Sequence, residues 1–236
     1  MYLNLLKIYL RYATRRAMNQ VIYGRLIDTQ HPEKGRFTAD DLRAIRAQLW
    51  QNFDALLPQA LLQQYDRLGS QQNVMLAVMS LADYRAFLAA GIERAYAVQL
   101  FADMGWRIYL TMLKVPRFIA RLLYQAPQKQ MNFALHTWLK FPFNYGDQAY
   151  QGKNWVDSEG LHTHWYRCPP LEYFRAHGNR DEMDFFSATW CMFDYAAARE
   201  MAPGGRFDRP HVMSRGDSLC DMCWYVQKQA EAGGSD

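Results

Sequence analysis

Three short stretches in the last part of the chain hold residue types that do chemistry, at spacings that matter. The first, Leu161-His-Thr-His-Trp-Tyr-Arg-Cys168, reads as extended. Alternation along a strand would place His162, His164, Tyr166 and Cys168 on one face and Leu161, Thr163, Trp165 and Arg167 on the other. Two imidazoles and a thiol facing one way form an acid/base array or a ligand set, His162, His164 and Cys168, for a divalent metal such as Zn, Mn or Fe. The competing reading is a row of polar side chains at a sheet margin, with Cys168 tucked beneath Pro169-Pro170.

The second stretch, Trp190-Cys-Met-Phe-Asp-Tyr195, falls in a helix predicted from about Asp181 to Glu200, which sets Ser187, Cys191 and Asp194 on one side. A lone Cys191 is readily inert core, because unpaired cysteine is among the most buried residue types. Asp194, between Phe193 and Tyr195, must find a partner or a pocket. The third stretch runs from Met213 to Tyr225. Gly216 and Asp217 favour a turn over Arg215–Asp217, feeding a strand from Leu219 to Val226. Cys220, Met222 and Trp224 would share one face of it, and Asp221, Cys223 and Tyr225 the other. An extended Cys220-x-x-Cys223 sends its sulfurs apart, which speaks against a redox couple or half a zinc knuckle.

These stretches need elements to position them. The 236 residues are half hydrophobic, with 15% aromatics, enough to bury one substantial core. The periodicity predicts an amphipathic helix over 2–27 and a loop over His31–Arg36. A second helix is capped by Thr38, with Leu42, Ile45, Leu49 and Phe53 buried and a kink at Pro58. A long helical region from Ser70 to about Leu123 should break near Gly91 and again at Pro116. After Pro127 strand-like and loop-like stretches appear, among them Phe141–Tyr145. Helices first and a mixed region afterwards indicate α+β: N-terminal helices followed by a small antiparallel sheet with helices packed on it.

The net charge of +4 arises from mixed signs and gives no footprint for nucleic acid. Basic residues gather early, at Lys7, Arg11, Arg15, Arg16 and Arg25; a solvated face is the ordinary explanation, a membrane surface or a partner the alternative. Lys7 and Arg11 interrupt any signal-peptide core, and no stretch has the length of a charge-free membrane span, so the expected location is the cytoplasm. In a reducing compartment Cys168, Cys191, Cys220 and Cys223 are thiols, nucleophiles or ligands rather than disulfides.

The order Asp83-Tyr-Arg-Ala-Phe-Leu-Ala-Ala-Gly-Ile-Glu-Arg-Ala-Tyr-Ala, Cys168-Pro169, Cys191-Met-Phe-Asp194 and Gly216-Asp-Ser-Leu-Cys220-Asp221 resembles the L-2-amino-thiazoline-4-carboxylic acid hydrolase family. The resemblance implies a domain over about 71–228, preceded by a helical extension over 1–66 and followed by a flexible tail over 229–236. It also implies hydrolytic opening of a small cyclic amidine-like or thiazoline-type substrate at a C–N bond. On that reading Cys191 or Cys220 is nucleophile or ligand, Asp194 is general base or amidinium anchor, and Asp221 orients. Cys168, Tyr195 and Arg215 contact substrate. The Gly-Asp-x-x-Cys ending also resembles vinyl-reductase-associated domains, which hold small molecules without catalysis; a diverged biosynthetic reaction on the same scaffold is a third reading. The additional aromatic N-terminal helices imply a more hydrophobic ligand or a subunit interface, with a homo-oligomer formed through them.

Overall fold

The computed structural model describes residues 2–227, so the tail expected over 229–236 lies outside the described residues. The fold is α+β. Helix α1 (Tyr2–Val21) buries Leu10, Thr14, Ala17, Met18 and Val21, a stripe at helical spacing. It ends earlier than the periodicity predicts, where Gly24 adopts a positive φ of 75° and turns the chain. Helix α2 (Ala39–Leu56) starts in a reciprocal capping box between Thr38 and Asp41, and buries Leu42, Ile45, Leu49 and Phe53. It stops just ahead of Pro58, whose ring begins a 3₁₀ turn.

Helix α3 (Leu68–Ala89) is buried on nearly every side and forms the centre of the molecule. Helix α4 (Arg94–Leu123) follows the turn at Gly91, which has the positive φ its place at a helix end requires. The break expected at Pro116 does not occur, and α4 runs through it. Proline deprives the carbonyl four residues earlier of its helical partner; here Met112 O accepts from the Trp138 indole N–H at 3.4 Å instead. Trp138 belongs to α5 (Pro127–Lys140), a helix where the sequence suggested irregular chain.

The remaining elements are β1 (Gln151–Val156), β2 (Leu161–Arg167), α6 (Pro169–His177), α7 (Arg180–Thr189), α8 (Phe193–Met201), β3 (Gly205–Asp208) and β4 (Cys220–Val226). The strands form an antiparallel sheet in the order β1-β2-β4-β3, with Trp165 opposite Cys220 and Leu161 opposite Trp224. Its inner face, Leu161, Thr163, Cys220, Met222 and Trp224, is buried as alternation predicts. Phe141–Tyr145 is a turn, not a strand, and the helix expected over 181–200 is interrupted by a 3₁₀ turn at Trp190–Met192. A single buried core extends from Leu10 to Trp224, with α1 packed on α4 and α2 on α3.

Helix α8 and strand β3 meet where neither has a side chain to spare. A Cβ added at Gly205 would stand 1.9 Å from the Ala198 carbonyl oxygen, part of a helix backbone that cannot retreat. Gly205→Ala should therefore lower stability by about 3 kcal/mol, measured from the urea-unfolding midpoint. An unchanged midpoint would show that the two elements are not in this contact.

Candidate functional site

The chemistry-bearing residues are delivered to one place by α3, α4, the Trp190–Met192 turn, α8 and the inner face of the sheet. Between them lies a cavity of about 100 Å³. Cys168, Cys191, Asp194 and Cys220 all face it, although they come from three separate stretches of the chain. Asp83 from α3, Tyr109 from α4 and Arg209 from the loop after β3 add ionisable groups to a polar lining that also includes Asn73, Ser80, Tyr150 and Ser214. Met79, Phe101, Met104, Ile108 and Trp165 are among the apolar walls. A larger cleft of about 290 Å³ between α2 and α3 has Asp41 as its sole ionisable lining residue, and that side chain is committed to the α2 cap.

Asp194 accepts from the Tyr109 hydroxyl at 3.2 Å and from Arg209 Nη1 at 3.2 Å. Removal from water raises the Asp194 pKa against the pull of Arg209. Burial alone would lower the Arg209 pKa, but the neighbouring Asp194 reverses that and the guanidinium stays charged. Arg209 also donates through Nη2 to the Cys191 carbonyl. Its Nε is buried and has no partner among the described residues.

Asp83 is more unusual. Its side chain is fully buried, and neither carboxyl oxygen has a hydrogen-bond partner among the described residues. Desolvation raises its pKa well above the ordinary carboxylate value, which favours the neutral acid. Some nearby polar groups are satisfied: Asn73 donates to the Tyr150 hydroxyl at 3.1 Å, and the Trp190 indole donates to Ser80 Oγ at 3.0 Å; the Trp165 indole Nε1, like Arg209 Nε, has no partner among the described residues.

The three cavity thiols are held as thiols. Burial pushes Cys168 well above the usual value and raises Cys191, while Cys220 is pushed up to about 11. Contacts that favour the thiolate are present, a Met213 N–H 3.3 Å from Cys220 Sγ and Ser214 Oγ 3.4 Å from Cys191 Sγ, yet desolvation outweighs them.

Other expected site residues lie elsewhere. Asp221 is on the outer face of β4, where His211 Nδ1 approaches it at 2.7 Å; burial alone would raise its pKa, but that hydrogen bonding lowers it. Tyr195 packs edge-on against Phe207 outside the cavity lining, and Arg215 is exposed on the 3₁₀ turn before Gly216. The proposed trio His162, His164 and Cys168 does not assemble. Strand β2 ends at Arg167, so Cys168 leaves the alternation and enters the cavity as the residue preceding α6. His162 and His164 stay on the outer face, stacked on and edge-on to Trp155. Among the described residues the close group of three donor side chains is instead Asp157, Glu159 and His162 on the β1–β2 hairpin. There Asp157 already accepts the backbone N–H groups of Glu159 and Gly160. The residues therefore do not fit a metal centre at the cavity.

Asp83, Arg209 and Tyr109 are the site residues that the sequence reading does not assign. Asp83 carries a signal: it is the lone acid in the apolar run Val74–Ala90, and the argument applied to Asp194 applies equally to it. Arg209, in a polar loop before Pro210, carries none. No family model, curated protein or solved structure matches the chain.

Two outcomes follow. As pH rises above about 4 the unfolded chain releases the Asp83 proton while the folded chain keeps it, so this group makes stability fall until the raised folded pKa is passed. Asp83→Asn removes that dependence, so its Tm relative to the parent should rise as pH increases above about 4; a constant or falling difference would mean the carboxyl is solvated. In native protein, alkylation of Cys220 by iodoacetamide, followed on its own peptide, should keep accelerating with pH up to about 11. A rate that levels off near about pH 8.5 would mark an ordinary exposed thiol.

Proposed function

We propose that the cavity binds a small molecule bearing an amidine-type nitrogen and an anionic group, and that the chain hydrolyses a C–N bond in it. The observation that carries this reading is that two ionisable side chains lining an apolar enclosure, the Asp83 carboxyl and Arg209 through its Nε, have polar atoms without partners among the described residues, as does the Trp165 indole Nε1 beside them. A buried polar group without a partner costs about 1–3 kcal/mol, which a ligand supplying that partner recovers. A nitrogen that takes or donates a proton suits Asp83, and an acceptor oxygen suits Arg209. The resemblance to the L-2-amino-thiazoline-4-carboxylic acid hydrolase family supports the same class, because such a substrate has both features.

The chemistry then rests on the carboxyls. Asp83, neutral before binding, gives its proton to the ligand nitrogen, which makes the amidine carbon more electrophilic. Water adds to that carbon and passes one proton to Asp194; the adduct then collapses to the carbonyl as its hydroxyl proton passes to the departing nitrogen, which already carries the proton from Asp83, so the C–N bond breaks and that nitrogen leaves as a neutral amine. One water is consumed, and a proton returns from Asp194 to Asp83 through solvent. Cys168, Cys191 and Cys220 shape the wall as neutral thiols in this scheme, in place of the nucleophilic role the family pattern implies. Protonated thiols and apolar walls also favour a second reading, a protein that holds such a molecule without turnover.

Thermal shift with 2-amino-thiazoline-4-carboxylate and with benzamidine tests binding, and loss of the thiazoline absorbance tests turnover. The parent protein should be stabilised by the carboxylate ligand, and Asp83→Asn should lose that shift along with about a hundredfold in rate. Binding without turnover would establish the holding role. No shift with either compound, or an equal shift in Asp83→Asn, would overturn the proposal.

A further inference from the structure

Helices α1 and α4 leave an apolar surface that no other element among the described residues covers. The exposed apolar residues include Leu5, Ile8, Tyr9 and Tyr12 on α1, and Val115, Phe118, Ile119 and Leu122 on α4. Both sets repeat at i, i+3, i+4 and i+7, so each forms one stripe along its helix. The stripes adjoin, because the Tyr9 hydroxyl lies 3.1 Å from Thr111 Oγ1, one turn ahead of Val115. Phe118 and Leu122 are 63% and 70% exposed, far beyond the scatter of single apolar residues expected on a monomer surface.

The charge around the stripes identifies what covers them. Neither α1 nor the segment Ile108–Leu123 contains an aspartate or glutamate, while together they hold Lys7, Arg11, Arg15, Arg16, Lys114, Arg117 and Arg121. Lys7 and Arg11 pair with Asp54, and Arg117 with Glu200; among the described residues Arg15, Arg16, Lys114 and Arg121 make no ion pair. A two-fold contact of this face with a second copy would bring like cations together. An anionic lipid surface complements both the stripe and its rim, and tyrosines at the edge of the patch suit the headgroup level. Among the described residues no helix is long and apolar enough to cross a membrane, so a helix pair lying in the interface is the geometry available.

We propose that the α1–α4 face docks on anionic membranes, with Leu5, Ile8, Phe118 and Leu122 entering the headgroup boundary and Lys114 and Arg121 contacting lipid phosphates. The inference stands apart from the reaction assigned to the cavity. It does bear on access, since α4 lines the cavity with Ile108 and Met112 one to two turns before the docking stripe.

The test is co-sedimentation of the full chain with vesicles of phosphatidylcholine alone or mixed with phosphatidylglycerol. The parent protein should pellet with the mixed vesicles and stay in solution with phosphatidylcholine. The double variant Phe118→Glu, Leu122→Glu should bind about tenfold less, with helix content unchanged by circular dichroism; Lys114→Glu with Arg121→Glu should weaken binding and flatten its salt dependence. A parent protein that pellets with neither vesicle would overturn the proposal. So would a dimer by light scattering that the double Glu variant converts to monomer, since a second copy would then own the face.

Discussion

A guanidinium almost removed from water fixes the candidate site. The Arg209 side chain is 5% exposed and ties the loop after β3 to the start of α8 through Asp194, and to the preceding turn through the Cys191 carbonyl. The aromatic rings of Phe207 and Tyr195 lie 5.4 and 5.8 Å from it, so part of its lost hydration is replaced by ring faces. Removing one member of a buried ion pair typically costs about 3–5 kcal/mol, because the survivor stays charged and unpaired. The loop that carries Met213 and Ser214, and with them the contacts to Cys220 and Cys191, is therefore held in place by electrostatics as much as by apolar packing.

The opposite wall depends on α3. Arg85, two residues beyond Asp83, makes a bidentate bridge to Glu182, and that same glutamate closes the capping box of α7. One carboxylate thus joins the helix bearing Asp83 to the helix that leads into Cys191. Ser80, a turn earlier on α3, accepts the Trp190 indole N–H and pins the 3₁₀ turn directly. The interruption at Trp190–Met192 is consequently part of the site: it turns the Cys191 carbonyl toward Arg209, as an uninterrupted helix would bond that carbonyl within itself.

What was legible in the sequence follows from how local each cause is. Thr38 and Asp41, Gly91, and the alternation of Cys220, Met222 and Trp224 are decided within a few residues, and they read correctly. Pro116 does not, because the group that accommodates it, the Trp138 indole, lies on another helix. Strand β1, with its polar residues Gln151, Lys153 and Asn154, has little apolar alternation and owes its form to pairing with β2. Cys168, Cys191, Asp194 and Cys220, which the resemblance in motif order singles out, line one cavity, and that proximity is a tertiary fact no local pattern carries. The metal trio failed for a local reason, the end of β2 one residue before Cys168, that strand periodicity cannot reveal. Arg209 is invisible from sequence since its partners are all tertiary.

The selectivity of polar satisfaction around the cavity is the strongest argument that the unpartnered groups are functional. A folded interior pairs nearly all its buried polar atoms, and this one pairs Asn73 with Tyr150, Trp190 with Ser80, and both Asp194 oxygens with Tyr109 and Arg209. Asp83 stands among these satisfied groups with two free oxygens, on the most buried helix of the molecule. Replacement of such a carboxyl by an apolar residue of similar size would relieve its desolvation, and nothing in the packing of α3 requires an acid there. The fold retains this unfavourable residue beside two further polar atoms of the same cavity without partners among the described residues, Arg209 Nε and Trp165 Nε1, an arrangement that the proposed ligand would complement at a cost to stability.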